Sequence, residues 1–330
     1  FRFTVLVDRA MDIHHCELNG RPIGWHSAVG VRHPAYFEPQ NPLGFLRQFS
    51  GLLVTCGLDH AFFGEKDDTS FYLYPDYKAE QYPLHGRVAN LPARLKGYGE
   101  TWHEGECVLW AEGTVKQSMV FGENLELTRR ISTHIGANSF NIHDEVSNAG
   151  FYPTPHMYLA HINIGFPIVD AGSEFVAPIR KIQWATKSAH GSRSAYRIMD
   201  PPQSNHVEHA YDHQMSASQD GTVVAALVNR KFNQGEGFGV YLRYNQNQYK
   251  YFTEWRNLNK SSYVVGLEPC TASVADGRIG TKEKGKLTIL QPGEKQTYDL
   301  EIGVLVNNLE IEKLVAEIQK LEHQPNECPF

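Results

Sequence analysis

Glu268 and His161 are two titratable side chains that lie in apolar, strand-like runs of this sequence. Glu268 ends the apolar run Tyr263–Leu267 and precedes Pro269, which interrupts the hydrogen bonding of a strand. Burial there would raise the pKa of the carboxyl group above its usual ~4.3, which suits a general base. His161 has an imidazole, whose usual pKa of ~6.5 lets it deliver a proton near neutral pH. The alternatives are a solvent-facing glutamate at a strand end and a hydrogen-bonded core histidine.

Two further motifs offer polar groups for binding. Asn163 follows His161 by two positions in the predicted strand 157–163, so both side chains point to the same face. Polar groups on an apolar strand either find buried partners or line a wet pocket. In His85-Gly86-Arg87, the glycine lets the backbone approach a ligand closely, and the arginine supplies several donors for hydroxyl or acid oxygens. An ordinary surface loop is the alternative.

The segment 206–213 is rich in histidine and acidic residues. His209 and His213 are four positions apart, so a helix would bring them to one face as metal ligands. The segment follows Pro201-Pro202 and has little helical character, which instead favours a loop over the rim of a cleft. In that interpretation His213 or His209 touches the substrate, and no metal is bound.

Two isolated residues are also relevant to a pocket. Trp255 lies shortly before the strand that carries Glu268, and we expect its ring beside the pocket as a stacking platform. Cys56 lies in Thr-Cys-Gly without a histidine or aspartate at local spacing. Inert packing is therefore favoured for its thiol over nucleophilic catalysis.

Most of the chain has the period-two alternation of strands. Residues 115–133 predict two strands around a bend at 121–124, and residues 139–146 predict another. Further strands are predicted at 4–7, 51–57, 157–163, 222–229, 238–244, 262–268, 286–290 and 297–306. Many short strands favour a large antiparallel sandwich or barrel over βαβ units. With no visible linker, we expect one all-β domain over residues 1–330, two small β domains being the alternative.

Only residues 308–321 have clear helical spacing of apolar side chains. Asn308 is a suitable N-cap, and Glu310 and Glu312 are favourable in the first turn. We expect a terminal helix that docks on the outside of a sheet.

Composition excludes several classes of protein. The 330 residues have a net charge of −6, which argues against a phosphate-binding track for nucleic acid. The longest apolar stretches, such as 221–228, are far shorter than the ~20 residues of a membrane helix. The five cysteines form no C-x-x-C pair, which is typical of reduced thiols in a cytoplasmic protein. The first residues of the sequence lack a basic segment followed by an apolar one, so no secretory signal is expected.

The order of these motifs resembles that of the aldose 1-epimerase (galactose mutarotase-like) superfamily, and a bacterial branch of it most closely. The resemblance runs from about residue 8 to about residue 305. Its specificity lies in the order of short stretches: Asp8-Arg-Ala-Met-Asp-Ile13, Phe49-Ser-Gly-Leu-Leu-Val-Thr-Cys-Gly-Leu58, His85-Gly-Arg87, Asp144-Glu-Val-Ser-Asn148 and Gly266-Leu-Glu-Pro269.

This resemblance implies a β-supersandwich with a sugar cleft on its concave face. Glu268 would remove the proton of the anomeric hydroxyl while His161 protonates the ring oxygen. The ring would then open and reclose as the other anomer. His85 would hydrogen-bond near the ring oxygen. Arg87 would bind hydroxyls or an acidic substituent. We expect the carboxylate and the imidazole to face each other across one hollow and to flank a pyranose.

The other substrate contacts expected in this cleft are Asn163, Arg47, Trp255 and His213. The aspartate common in mutarotase clefts is not evident; Asp212 is the candidate, because Asp144 has the pattern of a strand residue. Ring opening changes no oxidation state, so no cofactor is expected. The partner is a small carbohydrate, neutral or acidic, and the oligomeric state is left open. The alternatives are a non-catalytic carbohydrate-binding or sensing protein, and a sugar isomerase or lyase, on the same fold.

Overall fold

The computed structural model describes residues 1–38, 41–70, 78–189 and 196–321, and the backbone of 326–328. The strands are β1 Arg2–Leu6, β2 Asp12–Leu18, β3 Arg21–Pro22, β4 Leu53–Cys56, β5 Lys66–Asp68, β6 Ala79–Gln81, β7 Ala93–His103, β8 Glu106–Ser118, β9 Asn124–His134, β10 Ser139–Asn148, β11 Thr154–His156, β12 Leu159–Ile164, β13 Glu174–Val176, β14 Ile179–Trp184, β15 His209–Met215, β16 Thr222–Asn229, β17 Phe238–Asn245, β18 Tyr251–Asn257, β19 Val264–Cys270, β20 Thr288–Leu290, β21 Lys295–Leu305 and β22 Asn326–Cys328. The α-helices are α1 Phe232–Gly235, α2 Gly277–Glu283 and α3 Asn308–Gln319.

Two large sheets stack on each other and enclose the main apolar core. One has ten strands in the order β1-β2-β4-β12-β19-β18-β15-β14-β22, with β3 beside β2. The other has eight strands in the order β13-β16-β17-β21-β10-β9-β8-β7. Alternate side chains of both sheets meet in one cluster, in which Phe140 and Ile142 of β10 share the interior with Ile162 of β12 and Leu267 of β19. The antiparallel β-sandwich expected from the sequence is confirmed.

Helix α3 docks on the outer face of the eight-stranded sheet, as predicted. Its apolar side chains pack with those of β16 and with Leu305 of β21. The N-cap is Asn307 and not Asn308, because the Asn307 side chain accepts a hydrogen bond from the Glu310 N–H at 2.9 Å. Among the described residues, no helix is long and apolar enough to cross a membrane.

The predicted strands are all present, with β8 starting earlier than expected, at Glu106. The predicted rim loop over 206–213 is wrong, because β15 occupies its second half and lies between β14 and β18. The polar side chains of β15 are compatible with an interior strand since they find partners on β18. Asp212 accepts a hydrogen bond from Thr253 Oγ1 at 2.9 Å, and His213 Nε2 lies 3.1 Å from Glu254 Oε2.

A buried arginine joins the two sheets. Arg129 of β9 donates through Nε and Nη2 to the two carboxylate oxygens of Asp144 in β10, at 2.8 Å each. Its Nη1 donates to Thr55 Oγ1 of the other sheet at 2.8 Å and lies 3.4 Å from Asp12 Oδ1. The Tyr158 hydroxyl also accepts from Nη2, at 2.9 Å. Burial raises the pKa of Asp12 to about 6 despite the guanidinium, so this network is held at an electrostatic cost.

Replacing Arg129 with methionine should lower the free energy of unfolding by about 3–5 kcal/mol, because it leaves a buried carboxylate without its partner. Arg130→Met is the matched control in the same strand: Arg130 is 38% exposed and pairs with Glu112 at 3.2 Å. Its loss should stay below about 1 kcal/mol. Urea unfolding followed by tryptophan fluorescence measures both, and equal losses would contradict the role given to Arg129.

Candidate functional site

Glu268 and His161 meet on neighbouring strands of the ten-stranded sheet. The register of β12 against β19 pairs Ile162 with Leu267, which sets His161 opposite Glu268. His161 Nε2 is 3.2 Å from Glu268 Oε1, and each side chain is 3% exposed. A sugar ring cannot lie between groups this close, so the expectation that they flank a whole pyranose is wrong. They instead present two titratable atoms side by side.

Strand β19 does not end at Glu268, as the proline had suggested. Its pairing with β18 continues through Pro269 to Cys270. On the β12 side, the pairing steps from Leu267 to Cys270, so the missing N–H of Pro269 falls where no ladder bond is made. Glu268 is consequently an interior strand residue and is buried from both sides.

Four neighbouring strands present the site on one face. Residues opposite each other on β12, β19, β18 and β15 form two adjacent rows. The first row is His161, Glu268, Thr253 and Asp212, and the second is Asn163, Gly266, Trp255 and Ala210.

Gly266 leaves the space in which the acid and the imidazole approach each other. A Cβ atom at this position would lie 2.5 Å from Glu268 Oε1 and 2.9 Å from His161 Cε1. Asn163, opposite Gly266, is fully buried, and its Nδ2 donates to the Gly51 carbonyl at 3.1 Å. Asn163 therefore does not line the cavity, and its hydrogen bond holds β12 against the segment that precedes β4.

A layer of apolar side chains covers this face and encloses a cavity of about 110 Å³ above the pair. The layer comes from residues 43–49 and 62–63 and from Leu84. Its apolar character excludes water from the acid–imidazole pair on that side. The polar side chains that line the cavity are His85, His161, Glu208, Thr253 and Glu268.

His85 reaches the cavity from a sharply turned loop. Its backbone has φ of +59°, which is uncommon for a residue with a side chain, and Gly86 follows at +75°. A Cβ atom on Gly86 would collide with the carbonyl oxygens of Gly57 and His60, so only glycine fits. The His85 and His161 rings are 5.2 Å apart, edge to face. The backbone is thus bent in a way that brings a second imidazole to the site.

Burial shifts the two central groups in opposite directions. It raises the pKa of Glu268 well above 4.5, and the charges of Asp212 and then Glu208 raise it further. It lowers the pKa of His161 well below 6.5, with His85 as a second cause. Burial also lowers the pKa of His85 to about 3. These shifts favour the uncharged pair, in which Glu268 is protonated and His161 is neutral, over the ion pair.

Asp212 lies on the face of the sheet that carries Glu268, and Asp144 belongs to the core network of Arg129. Asp212 is buried and accepts hydrogen bonds from Ser273 Oγ at 2.5 Å and from the Ala275 N–H at 3.0 Å. It lies two strands away from Glu268 and acts on it through charge. An alternating pattern over 209–215 would have placed Asp212 on the cavity face, but the histidine spacing obscured it.

Trp255 lines the cavity, whereas Cys56 does not. The Trp255 ring is 5.6 Å from that of His161 and 5.8 Å from that of Phe49, and its Nε1 donates to Glu208 Oε2 at 2.9 Å. Cys56 is fully buried in the apolar layer, and burial raises the pKa of its thiol well above 9. A neutral thiol in this position is not a nucleophile.

Neither arginine expected at the substrate lines the cavity. Arg87 is ion-paired with Glu80, and its Nη1 lies 3.9 Å from Asp59 Oδ2. Arg47 is 68% exposed and pairs with Glu38 at 3.2 Å. Each guanidinium is paired with a carboxylate outside the cavity lining, and substrate binding by these arginines stays a prediction.

His209 and His213 also lie away from the cavity. His213 faces the core on the opposite side of the sheet, against Glu254 and the Phe175 ring. On a strand, residues four apart are separated by ~13 Å, so these two histidines cannot share a metal ion. In the part of the chain that the structure describes, no group of three or more His, Cys, Asp or Glu side chains could hold a metal.

Comparison with solved structures defines the class of protein. The fold matches a candidate aldose 1-epimerase from Klebsiella pneumoniae with a TM-score of 0.89 and 26% identity, over 99% of this chain and 83% of that one. A galactose mutarotase-like protein from Clostridium acetobutylicum matches with a TM-score of 0.62 and 12% identity, over 92% of each chain. The protein therefore has the galactose mutarotase-like fold that its motifs resemble. Within that class, the chain belongs to the family DUF4432, a domain of unknown function, whose model matches residues 1–304.

A third solved structure matches the fold more distantly. It is the galactose 1-epimerase from Lactobacillus acidophilus, with a TM-score of 0.54 and 13% identity, over 91% of this chain and 90% of that one. No curated protein matches the sequence.

Replacing Glu268 with glutamine should stabilise the protein at neutral pH by about 0.5–2 kcal/mol, because it removes a buried acid. The folded state holds a proton on Glu268 that the unfolded state has lost, so wild-type stability falls as pH rises from ~4.3 through the raised pKa. Glutamine does not titrate, so the gain should grow over the same interval. Urea unfolding at pH 4.5, 6 and 8 measures it. Glu106→Gln, whose side chain is 76% exposed, should show no such trend.

The Gly266→Ala variant should lose about 1–3 kcal/mol of unfolding free energy, since its methyl group must displace the acid or the imidazole. Gly99→Ala is the matched control in another strand, where the nearest atom to the new Cβ is 3.6 Å away on Trp110. That change should stay within about 0.5 kcal/mol of wild type. Similar thermal and urea midpoints for the two variants would show that Gly266 is not needed for close approach.

Proposed function

We propose that this protein interconverts the α and β anomers of a free aldose by opening and reclosing its ring. The observation that carries the proposal is the contact of His161 Nε2 with Glu268 Oε1, 3.2 Å apart at the wall of a water-poor cavity. Ring opening removes a proton from the anomeric hydroxyl and delivers one to the ring oxygen. Those two oxygens are bonded to the same carbon, so a pair of adjacent catalytic atoms matches them better than groups on opposite sides of the ring.

The pair can complete this exchange with one proton of its own. The reactive form is the ion pair, a less stable form of the same pair in which the proton is on His161 instead of Glu268. From it, Glu268 takes the hydroxyl proton while His161 protonates the ring oxygen, and the bond between carbon 1 and the ring oxygen breaks. The open aldehyde then rotates, and reclosure reverses both transfers. The raised pKa of Glu268 makes its carboxylate a stronger base, and the lowered pKa of His161 makes its imidazolium a stronger acid.

The remaining cavity residues fit a sugar ring. Trp255 and Phe49 offer aromatic surfaces for the apolar face of a pyranose. His85 has an unpaired buried Nδ1 and an uncharged ring, so it can hydrogen-bond near the ring oxygen. Thr253, between Glu268 and Asp212, supplies a hydroxyl at the cavity wall.

Glu268→Gln should slow anomer exchange at least ~100-fold, because general acid–base groups contribute on that scale. His161→Gln should do the same, and neither should abolish sugar binding. Exchange NMR between the anomeric proton signals of free hexoses and pentoses measures the rate, after a screen identifies the best substrate.

The matched control is Glu254→Gln. Glu254 forms a second buried Glu–His contact, with His213 at 3.1 Å, on the opposite face of the same sheet. Its replacement should leave exchange within about threefold of wild type once folding is verified. Sugar binding without faster exchange would instead indicate a carbohydrate-binding protein, a ketose product an isomerase, and an ultraviolet-absorbing product a lyase. Each of these results would overturn the proposal.

A further inference from the structure

Glu208 is a second carboxylate in the cavity, and the sequence placed it in the cluster 206–213 without giving it a role of its own. It lies immediately before β15 and is partly exposed. Its backbone carbonyl accepts a hydrogen bond from the Ser188 hydroxyl, and its Oε2 accepts one from Trp255 Nε1 at 2.9 Å. Both its backbone and its side chain are therefore held in place at the cavity wall.

The bond to Trp255 leaves Glu208 with capacity for more hydrogen bonds. An ionised carboxylate accepts about four, and the indole donates only one. The indole that holds Glu208 also lines the cavity, so a sugar stacked on Trp255 would bring hydroxyl groups to the same carboxylate. Hydrogen bonds to a charged acceptor are about twice as strong as neutral ones, which suits Glu208 to bind hydroxyls.

The ionisable groups around the cavity favour an uncharged ligand. The side chains of Glu208 and Glu268 both line it, and Asp212 lies on the same face, two strands away from Glu268. The two cavity histidines, His85 and His161, are uncharged at neutral pH, because burial lowers the pKa of each. An acid group on the ligand would thus face the Glu208 carboxylate and lose its hydration without a counter-charge from these residues.

The arginines that suggested an acidic substrate do not change this balance. Arg87 is committed to Glu80 and Asp59, and Arg47 extends to Glu38 at the surface. These carboxylates neutralise the charges of the two arginines, so neither arginine supplies a counter-charge to an acidic ligand in the cavity.

We propose that Glu208 accepts hydrogen bonds from the hydroxyl groups of the substrate and, through its charge, restricts the cavity to neutral aldoses. This inference rests on the proposed function, and it names the substrate class and a binding residue of the same site.

The test compares pairs of sugars that differ at one carbon atom, where one member is neutral and the other carries a negative charge. Glucose with glucuronate and galactose with galacturonate are such pairs, because an ionised carboxyl group replaces the hydroxymethyl group. For the pair whose neutral member exchanges faster, exchange NMR should give a kcat/KM at least ~10-fold higher for the neutral sugar than for the uronate. The reason is that the negative charge of Glu208 repels the carboxylate of the uronate. Equal values, or a preference for the uronate, would overturn the inference.

Two variants separate the hydroxyl contact from the charge. Glu208→Gln keeps the shape of the side chain and removes its charge, so it should narrow the neutral-to-uronate ratio at least ~3-fold and raise KM for the neutral sugar. Glu208→Ala should raise that KM further. Glu106→Gln, far along the chain on an exposed hairpin, should leave both quantities unchanged. An unaltered ratio in Glu208→Gln would show that its charge does not select the ligand.

Failure of this inference can be told apart from failure of the proposed function. If no aldose exchanges faster than in buffer, the proposed reaction is wrong, and the same sugar pairs are compared by saturation-transfer NMR and calorimetric binding. Tighter binding of the neutral member, weakened by Glu208→Gln, would still support the ligand class. Tighter binding of the uronate, or equal binding of both, would refute it.

Discussion

The burial of Glu268 beside His161 is the interaction on which the arrangement of the site depends. Moving a carboxylate out of water costs several kcal/mol, and here the other carboxylates, Asp212 and Glu208, add to that cost. The sheet can hold the pair because β12 and β19 are interior strands, each paired on both sides. Their register leaves the acid and the imidazole in contact, and Gly266 provides the space. An edge strand would admit water and reduce the opposed pKa shifts that make the pair useful.

The strand that carries His161 is supported from the interior of the sandwich. In β12, His161 and Ala160 lie opposite Val54 and Thr55 of β4. The Thr55 hydroxyl accepts a hydrogen bond from Arg129, which belongs to the other sheet. The core network thereby holds β4, which lies directly beside the strand that carries His161. A site that tolerates an unfavourable buried acid needs such support, because a looser strand would relax and separate the pair.

The sequence was sufficient to predict the class of fold and to single out Glu268 and His161. It was less informative about the residues that surround this pair. Alternation identified the strands of Glu268 and His161, because their neighbours are strongly apolar. Glu208 was given no role of its own, and Asp212 was only a candidate, because polar residues and closely spaced histidines hide the start of β15. Arg87 was assigned to the substrate because its carboxylate partners lie 7 and 28 positions away, and nothing in the local motif reveals such pairing.

The two buried Glu–His contacts of this sheet show how the pair proposed to be catalytic differs from a second pair with the same functional groups. Glu254 with His213 and Glu268 with His161 involve the same functional groups at almost the same distance, 3.1 Å and 3.2 Å. The first lies among the aromatic rings of the core, where no substrate can enter. The second faces a cavity and has further carboxylates beside it. Access and surrounding charge, and not the residue types alone, therefore distinguish the pair proposed to transfer protons. Successive residues of a strand face opposite sides of the sheet. A shift of β18 by one position would therefore turn Glu254 away from His213 and toward the cavity face.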